Sequence, residues 1–359
     1  MPNAIFNYNV QINGKHEARI KGVIADVSSI IQESLQNGGK DSVIPKLFVE
    51  AKSNRQSEYF SIEDSLGLMK PTIDGDKPKT DKSGEIGNKR ISHVIYTLDT
   101  MVTQTMMEDS GYGMDIGIER RARDLPDSYF ATRELLAQKA YTEAEKTGFN
   151  FYGAPIDLTT YDGMPLFSAS HKYGAPDGEG HAKGTQSNLF YIVESNPNAG
   201  FMAEVLAQAA AEINQMKNAN GMAQGFIADT IVTSADRRQT KLNTMLRQAS
   251  GSEYFPGGNN NDINTQYGQW NMFALNQWET DAFEFIVMSQ KAKNQNKSMF
   301  FNRTNLDINV WTENGTRNVH WDSRARWGLG HVDYKHAVKI KVFKEKPGDV
   351  SGMTELKIG

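Results

Sequence analysis

The stretch YDGMPLFSASHKYG, residues 161–174, places Ser168, Ser170 and His171 close behind Asp162. Such a set raises the question of a nucleophilic serine with a histidine base. A nucleophile elbow needs Gly-x-Ser-x-Gly, because the glycines let the backbone turn sharply under the serine. Ser168 lies in LFSAS and Ser170 in SASHK, without those glycines. Ser170 and His171 are also sequence neighbours, whose side chains point apart in an extended chain. Asp162-Gly163 reads better as a turn, with Met164-Pro165-Leu166-Phe167 leaving it as a short apolar segment. Asp162, Gly163, Leu166, Phe167, Ser168 and His171 are therefore expected to form a structural unit without catalytic residues.

Upstream of this stretch, PDSYFATRELLAQKAYTEAEKTG (126–148) has Pro126 at its start and Gly148 past its end, with Tyr129, Leu136, Ala140 and Ala144 in one stripe. That pattern predicts a long helix. Before it, ISHVIYTLDTMVTQTMM (91–107) alternates Val94, Tyr96, Leu98 and Val102 against His93, Thr97, Asp99 and Thr103. The alternation and β-branched content predict a long strand, with EYFSIEDSLGLMK (58–70) as its antiparallel partner. Between them DGDKPKTDKSGEIGNK (74–89) has Ile86 as its one apolar residue, so this tip cannot build a core. A two-stranded ribbon is marginal in water, so the arm is expected to lie against another molecule, through Asp74, Asp76, Lys77, Lys79, Asp81, Lys82, Glu85 and Lys89.

Residues 1–22 read as a polar arm, and VIADVSSIIQESLQ (23–36) as a short amphipathic helix stopped by NGG. Downstream, PNAGFMAEVLAQAAAEINQMK (197–217) predicts a helix and FIADTIVT (226–233) a buried strand. A third helix is expected from Ser234 to Gln248, its Arg237, Arg238, Lys241 and Arg247 forming a solvated basic face. AFEFIVM (282–288) reads as a strand, and Asn314-Gly315 predicts a hairpin over 306–321. VDYKHAVKIKV (332–342) alternates as a strand with one buried and one solvated face.

The chain has 359 residues with 39 basic and 43 acidic side chains, a net charge of -4. No basic excess marks a duplex-reading protein, which needs clustered Lys and Arg. With no cysteine, a disulfide scaffold, a thiolate zinc site and a cysteine nucleophile are excluded. No apolar run approaches the roughly 20 residues that span a bilayer, so no membrane partner is expected. DGDKPKTDKSGE (74–85) imitates a calcium loop at Asp74, Asp76 and Glu85, but Pro78 and Lys79 break the pattern. The seven histidines are scattered, with no third ligand for zinc, and the carboxylates define no facing pair. No cofactor or metal is expected, and no enzyme emerges.

Taken in order, these features resemble the tailed-bacteriophage major capsid proteins of the Hong Kong 97-like fold, particularly the branch similar to the major head subunit of phage Mu. YDGMPLFSASH (161–171) is similar to the Asp-Gly-x-x-Leu-Phe-Ser-x-x-His segment found after that family's spine helix. The resemblance implies an α+β fold with an N-terminal arm and short helix over 1–56 and an extended hairpin, the E-loop, over 57–107. It further implies a peripheral domain from 108–196 and 326–345 with the spine helix at 126–148, an axial domain over 197–325 and a polar tail over 346–359. The implied function is structural: pentamers and hexamers of the chain closing an icosahedral head around packaged double-stranded DNA, which is held by non-specific contact. Portal and scaffolding proteins, and a decoration protein, are the implied partners. The implied location is the virion capsid, assembled in the host bacterial cytoplasm. Some family members cross-link an arm lysine to a neighbour's asparagine. Lys77, Lys79, Lys82 and Lys89 lie in the right arm, but no matching asparagine or glutamate is found, so that chemistry is not carried over. The competing readings are an encapsulin-type nanocompartment shell and a soluble hydrolase using Ser168 or Ser170 with His171.

Overall fold

The computed structural model describes residues 5–9, 17–63, 69, 71–74, 76–77, 85–109, 116–173, 184–195, 197, 199–235, 242, 246, 266, 268–278, 280, 283–295 and 297–358. The helix expected over 234–248, and Lys79, Asp81 and Lys82 of the arm tip, lie essentially outside them.

The elements begin with β1 (Ile5–Asn9), α1 (Glu17–Asn37), α2 (Ile44–Leu47), β2 (Val49–Lys52), β3 (Ser57–Glu63), β4 (Glu85–Ser92) and β5 (Val94–Val102). After α3 (Gln104–Asp109) and α4 (Ile116–Thr142) come the short strands β6 (Gly148–Phe151), β7 (Ala154–Asp157), β8 (His171–Tyr173), β9 (Gly184–Gln186) and β10 (Leu189–Val193). The remainder is α5 (Ala199–Gln215), β11 (Thr230–Ser234), β12 (Asn271–Leu275), β13 (Phe283–Met288), α6 (Gln290–Asn294), β14 (Ser298–Thr312), β15 (Val319–His331), β16 (Ala337–Phe343) and β17 (Thr354–Glu355). This is an α+β architecture built on two principal sheets.

The first sheet runs β1-β14-β15-β5, with β2 paired to the other half of β14. Its centre is the β14–β15 hairpin, whose six-residue connection, 313–318, is longer than a two-residue turn but is centred on the expected Asn314-Gly315. Phe300, Ile308, Val310, Trp321 and Trp327 form its buried face. α4 crosses that face. Arg133 pins the crossing: its guanidinium donates to Glu50 Oε2, Asn302 Oδ1 and Tyr129 Oη, each at 3.1 Å, and lies over the rings of Tyr129, Phe300 and Trp327.

α4 starts ten residues before the expected Pro126. Ile118, Ala122, Leu125 and Tyr129 repeat at helical spacing and are all buried. Each large apolar side chain so buried contributes about 1.5–3 kcal/mol. Together they outweigh the roughly 3 kcal/mol that a proline costs inside a helix. The helix stops at Thr142, short of Gly148, because Glu145 is drawn into ion pairs with the second sheet. α1 likewise begins six residues early, and it buries Ile24, Val27, Ile31 and Leu35. Gly38 and Gly39 end it beneath Phe130. A Cβ on Gly38 would stand 2.3 Å from that ring, and Gly39 has φ +72°. Residues 5–9, expected in a polar arm, form β1 and pair parallel with 307–311 of β14.

The second sheet runs β12-β11-β13-β16-β10-β17, and α5 covers it with Met202, Val205, Leu206, Ala209 and Ile213. The sheets thus divide the chain at points other than the expected boundaries of 197–325. β10 and β16 belong with the second sheet, while residues 298–325 lie in the first. In 332–342 the strand begins only at Ala337, and the expected solvated face is buried, with Lys335 4% and Lys339 1% exposed.

The arm is shorter than its alternating pattern predicts. β3 pairs antiparallel with β4 from Ser57↔Ser92 to Glu63↔Glu85. The chain then breaks at His93, whose Nδ1 lies 2.9 Å from the Gln56 carbonyl. β5 leaves the hairpin and pairs with β15 from Val94↔Trp327 to Val102↔Val319. A helix, α3, replaces the end of the expected strand.

Candidate functional site

The turn at Asp162 is built from its own backbone. Gly163, at φ +77°, donates to the Thr160 carbonyl at 3.0 Å, and Thr160 N–H donates to Met164 O at 2.8 Å. The Asp162 carboxylate closes the loop: Oδ1 accepts from Thr160 Oγ1 at 2.6 Å and Met164 N at 3.1 Å, and Oδ2 accepts from Lys172 N at 3.1 Å. Leu166 and Phe167 enter the core, and Phe167 N–H donates to Ala144 O just past the end of α4.

His171 is fully buried. Its Nδ1 lies 2.9 Å from Asp162 Oδ2, and its Nε2 lies 3.1 Å from the Leu166 carbonyl. Both neighbours are acceptors, so both ring nitrogens donate. Burial alone would raise the Asp162 carboxyl, but the hydrogen bond and charge of His171, with Thr160 and Met164 N–H, hold it below the ordinary carboxylate range. Tyr334 stacks on the imidazole at 3.7 Å and 8°.

This geometry disposes of the serine–histidine pair. Ser168 Oγ accepts from Ser170 N at 3.3 Å, and Ser168 N–H donates to Asn188 Oδ1 at 2.8 Å. With both nitrogens occupied, His171 has none left to take a proton from either serine. The structure brings Asp162, Gly163, Leu166, Phe167, Ser168 and His171 together as a structural joint.

Below Tyr334 lies a second buried set that sequence patterning missed. Asp333 pairs with Lys297 and, at 3.2 Å, with Lys335. Burial would raise Asp333, but the two ammonium groups hold it far below its ordinary value. Burial lowers Lys335, with Asp333 opposing, and its ammonium also donates to Tyr161 Oη at 3.2 Å.

A third set joins α4, α2, β14 and β15. Tyr141 Oη donates to Leu47 O at 2.8 Å and lies 3.0 Å from Ser298 Oγ and 3.1 Å from His336 Nε2. Ser298 Oγ is 2.9 Å from His331 Nδ1. The other nitrogens donate to backbone carbonyls, His331 Nε2 to Ala140 O and His336 Nδ1 to Asp333 O. Each ring is then satisfied as neutral imidazole. Burial lowers His331 to about 4, and burial with the neighbouring His331 lowers His336 to about 3. On opposite parities these histidines gave no sign of meeting; the turn at 332–336 brings them together.

A fourth network ties the sheets. Lys339 Nζ lies 2.7 Å from Glu145 Oε1 and 3.2 Å from Glu284 Oε2, Lys341 Nζ lies 2.7 Å from Glu145 Oε2, and Trp278 Nε1 donates to Glu284 at 2.7 Å. These groups line a polar cleft of about 570 Å³. Among the described residues no group of three or more His, Asp or Glu side chains is placed to hold a metal ion, and no helix is long and apolar enough to cross a membrane.

Of the arm residues singled out in the sequence, Asp74, Asp76, Lys77 and Glu85 are exposed. Lys89 is not at a solvated tip. It is 3% exposed, and its ammonium donates to Asp157 Oδ2 at 2.6 Å and Thr159 Oγ1 at 3.1 Å. β4 rests on the body of the protein here, and a Cβ on Gly87 would stand 2.6 Å from Tyr161 O. The base of the arm is fixed, whereas Met69 and Ile73 farther out are 101% and 80% exposed.

No family model matches the chain, and no curated protein matches it. Among solved structures, a chain from the capsid structure of the cyanophage P-SCSP1u matches with a TM-score of 0.50 and 9% identity, over 83% of this chain and 87% of that one. This is a fold found in a phage capsid. A chain from a structure of Mycobacterium phage Adephagia matches at the same TM-score of 0.50 with 12% identity, over 90% of this chain and 98% of that one. At such identities the likeness is one of fold: this sequence, with its own core and ion networks, reaches the same capsid architecture. The expected α+β capsid fold is therefore the fold observed.

Proposed function

We propose that this chain is the structural subunit of an icosahedral viral head. Copies assemble into pentamers and hexamers that close around packaged double-stranded DNA, in a virion capsid assembled in the host bacterial cytoplasm. The carrying observation is the likeness of fold to the cyanophage capsid chain, which extends over most of both chains. Two features of the molecule support it. The titratable clusters at His171, Asp333 and His336 are buried and internally satisfied, as suits a scaffold more than a reacting centre. The arm, by contrast, exposes apolar side chains that gain nothing in a lone subunit. Obligate contacts across copies bury far more than a standard interface, and the arm is the element suited to make them. A net charge of -4 fits a container whose DNA must later leave, held by non-specific contact. Portal, scaffolding and decoration proteins are the further partners of such a head.

Deleting residues 71–84 tests the reading. The shortened subunit is expected to keep its far-ultraviolet circular dichroism and thermal transition, since the described arm base is anchored by Lys89. In light scattering it is expected to form no particles, or particles that fall apart under conditions the full chain withstands. Equally stable particles from both chains would remove the arm from the assembly, and no particles from either would remove the shell.

A further inference from the structure

Alternate residues of a strand share a face, and on β15 the face away from the buried Trp321, Ala325 and Trp327 carries His320, Asp322, Arg324 and Arg326. In the ladder Arg324 stands opposite Thr97 of β5 and Asp307 of β14, and Arg326 opposite Ile95 and Thr304. Arg326 is lowered from its ordinary value by partial burial and by repulsion from Arg303 and Arg324. Its Nε is buried with no hydrogen-bond partner in the protein. Three guanidiniums thus crowd one end of this face with Asp307 as their nearest ladder carboxylate, while the other end is acidic, with Asp322 and the Asp99 carboxylate that pairs with His320. β5 is the edge strand, and on the same face it exposes Ile95 (47%) and Met101 (42%).

The exposed part of the arm carries the complement. Ile73 is followed by Asp74, Asp76 and Lys77, all exposed. The order apolar, acid, acid, base mirrors Ile95, Arg326, Arg324 and Asp322 across the sheet. The arm cannot reach this face in its own subunit. The paired β3–β4 ribbon starts beside Ser92 and its eight-residue strand carries the tip about 25 Å away from Ile95. Duplex DNA is the poorer occupant, because Asp322 and Asp99 would repel its phosphates and Ile95 would meet no apolar surface.

We propose that the outer face of β5 and β15 is the docking surface for the arm of a second copy, with Asp74 and Asp76 against Arg326 and Arg324 and Ile73 against Ile95. The docking rests on the shell reading above and names the surface that the arm uses.

Charge reversal tests it. The R324E/R326E chain and the D74K/D76K chain are each expected to raise the critical concentration for particle formation at least tenfold, and the chain with all four changes is expected to recover most of it. Thermal unfolding of the dissociated subunits reports whether each variant is folded. Should R324E/R326E unfold, R324Q/R326Q replaces it, with a raised critical concentration and a weaker salt dependence as the expected result. Wild-type assembly by either arginine variant overturns the proposal, as does failure of D74K/D76K to rescue a folded R324E/R326E chain. Normal particles that have lost only their nucleic acid would assign the face to phosphate and overturn it too. A wild-type chain that forms no particles under any condition defeats the shell reading, and the docking with it; particles from wild type and variants alike defeat the docking alone.

Discussion

Acidification should destabilise this subunit well above the pH at which its carboxylates titrate. His331 and His336 are fully buried, neutral and hydrogen-bonded, with folded values of about 4 and about 3 against 6.5 when exposed. Between pH 6.5 and 4 the unfolded chain therefore binds protons that the folded chain refuses, and stability falls as pH falls. At pH 4.5 each histidine lies two units below its unfolded value and above its folded one. At about 1.4 kcal/mol per unit, the loss is roughly 3 kcal/mol for each and about 5 kcal/mol for the pair. That is a large share of a domain's typical 5–15 kcal/mol. The opposite-signed groups act lower. Asp162, Asp157 and Glu145 are held below their ordinary values, so their stabilisation is present above about pH 4 and is lost only beneath it. Urea unfolding of dissociated subunits, followed by the fluorescence of the buried Trp321 and Trp327, should show a midpoint that drops steeply from pH 6.5 to 4.5. In H331N/H336N that slope should largely vanish, whatever the variant's stability at pH 7. A wild-type midpoint that is flat over this range would refute the claim that the two rings are buried neutral.

Asp162→Asn leaves the donating His171 buried beside a neutral amide, and breaking such a buried pair costs about 3–5 kcal/mol; calorimetry should show a lowered transition, whereas an unchanged one would mean the pair is dispensable. Gly38→Ala drives a methyl into the Phe130 ring, and overpacking of that kind costs about 1–3 kcal/mol, to be read as a lower urea midpoint. Ser168→Ala combined with Ser170→Ala should leave particle formation intact, and hydrolysis of an activated ester should be no different from background in either chain; activity lost on substitution would revive the hydrolase.

Local periodicity carried much of the fold and little of the polar interior. The stripes of α1 and α5 and the run at 283–288 were legible because one face of each is uniformly apolar. The alternation at 94–102 was equally clear, yet it specified a strand and not its partner, and β5 pairs with β15 instead of extending the arm. Pro126 misplaced the start of α4, since the buried stripe from Ile118 to Tyr129 outweighs its local cost. Lys335 and Lys339 read as solvated because nothing nearby in sequence announces Asp333's setting, Glu145 or Glu284 as their partners. The joint at 161–171 was legible as a segment, and its physical content, a carboxylate and an imidazole locked under Tyr334, was not. Lys89 was assigned to the solvated tip for the same reason: Asp157, its partner, lies in a distant strand.

Electron microscopy of the untagged chain, expressed with its genomic neighbours and purified without denaturant, tests the central claim most directly. The shell reading predicts closed particles with fivefold and sixfold clusters of this chain and nucleic acid in the native filled form. Closed particles holding a protein cargo would assign the shell to a nanocompartment, and a monodisperse monomer that never assembles at any concentration would contradict the account.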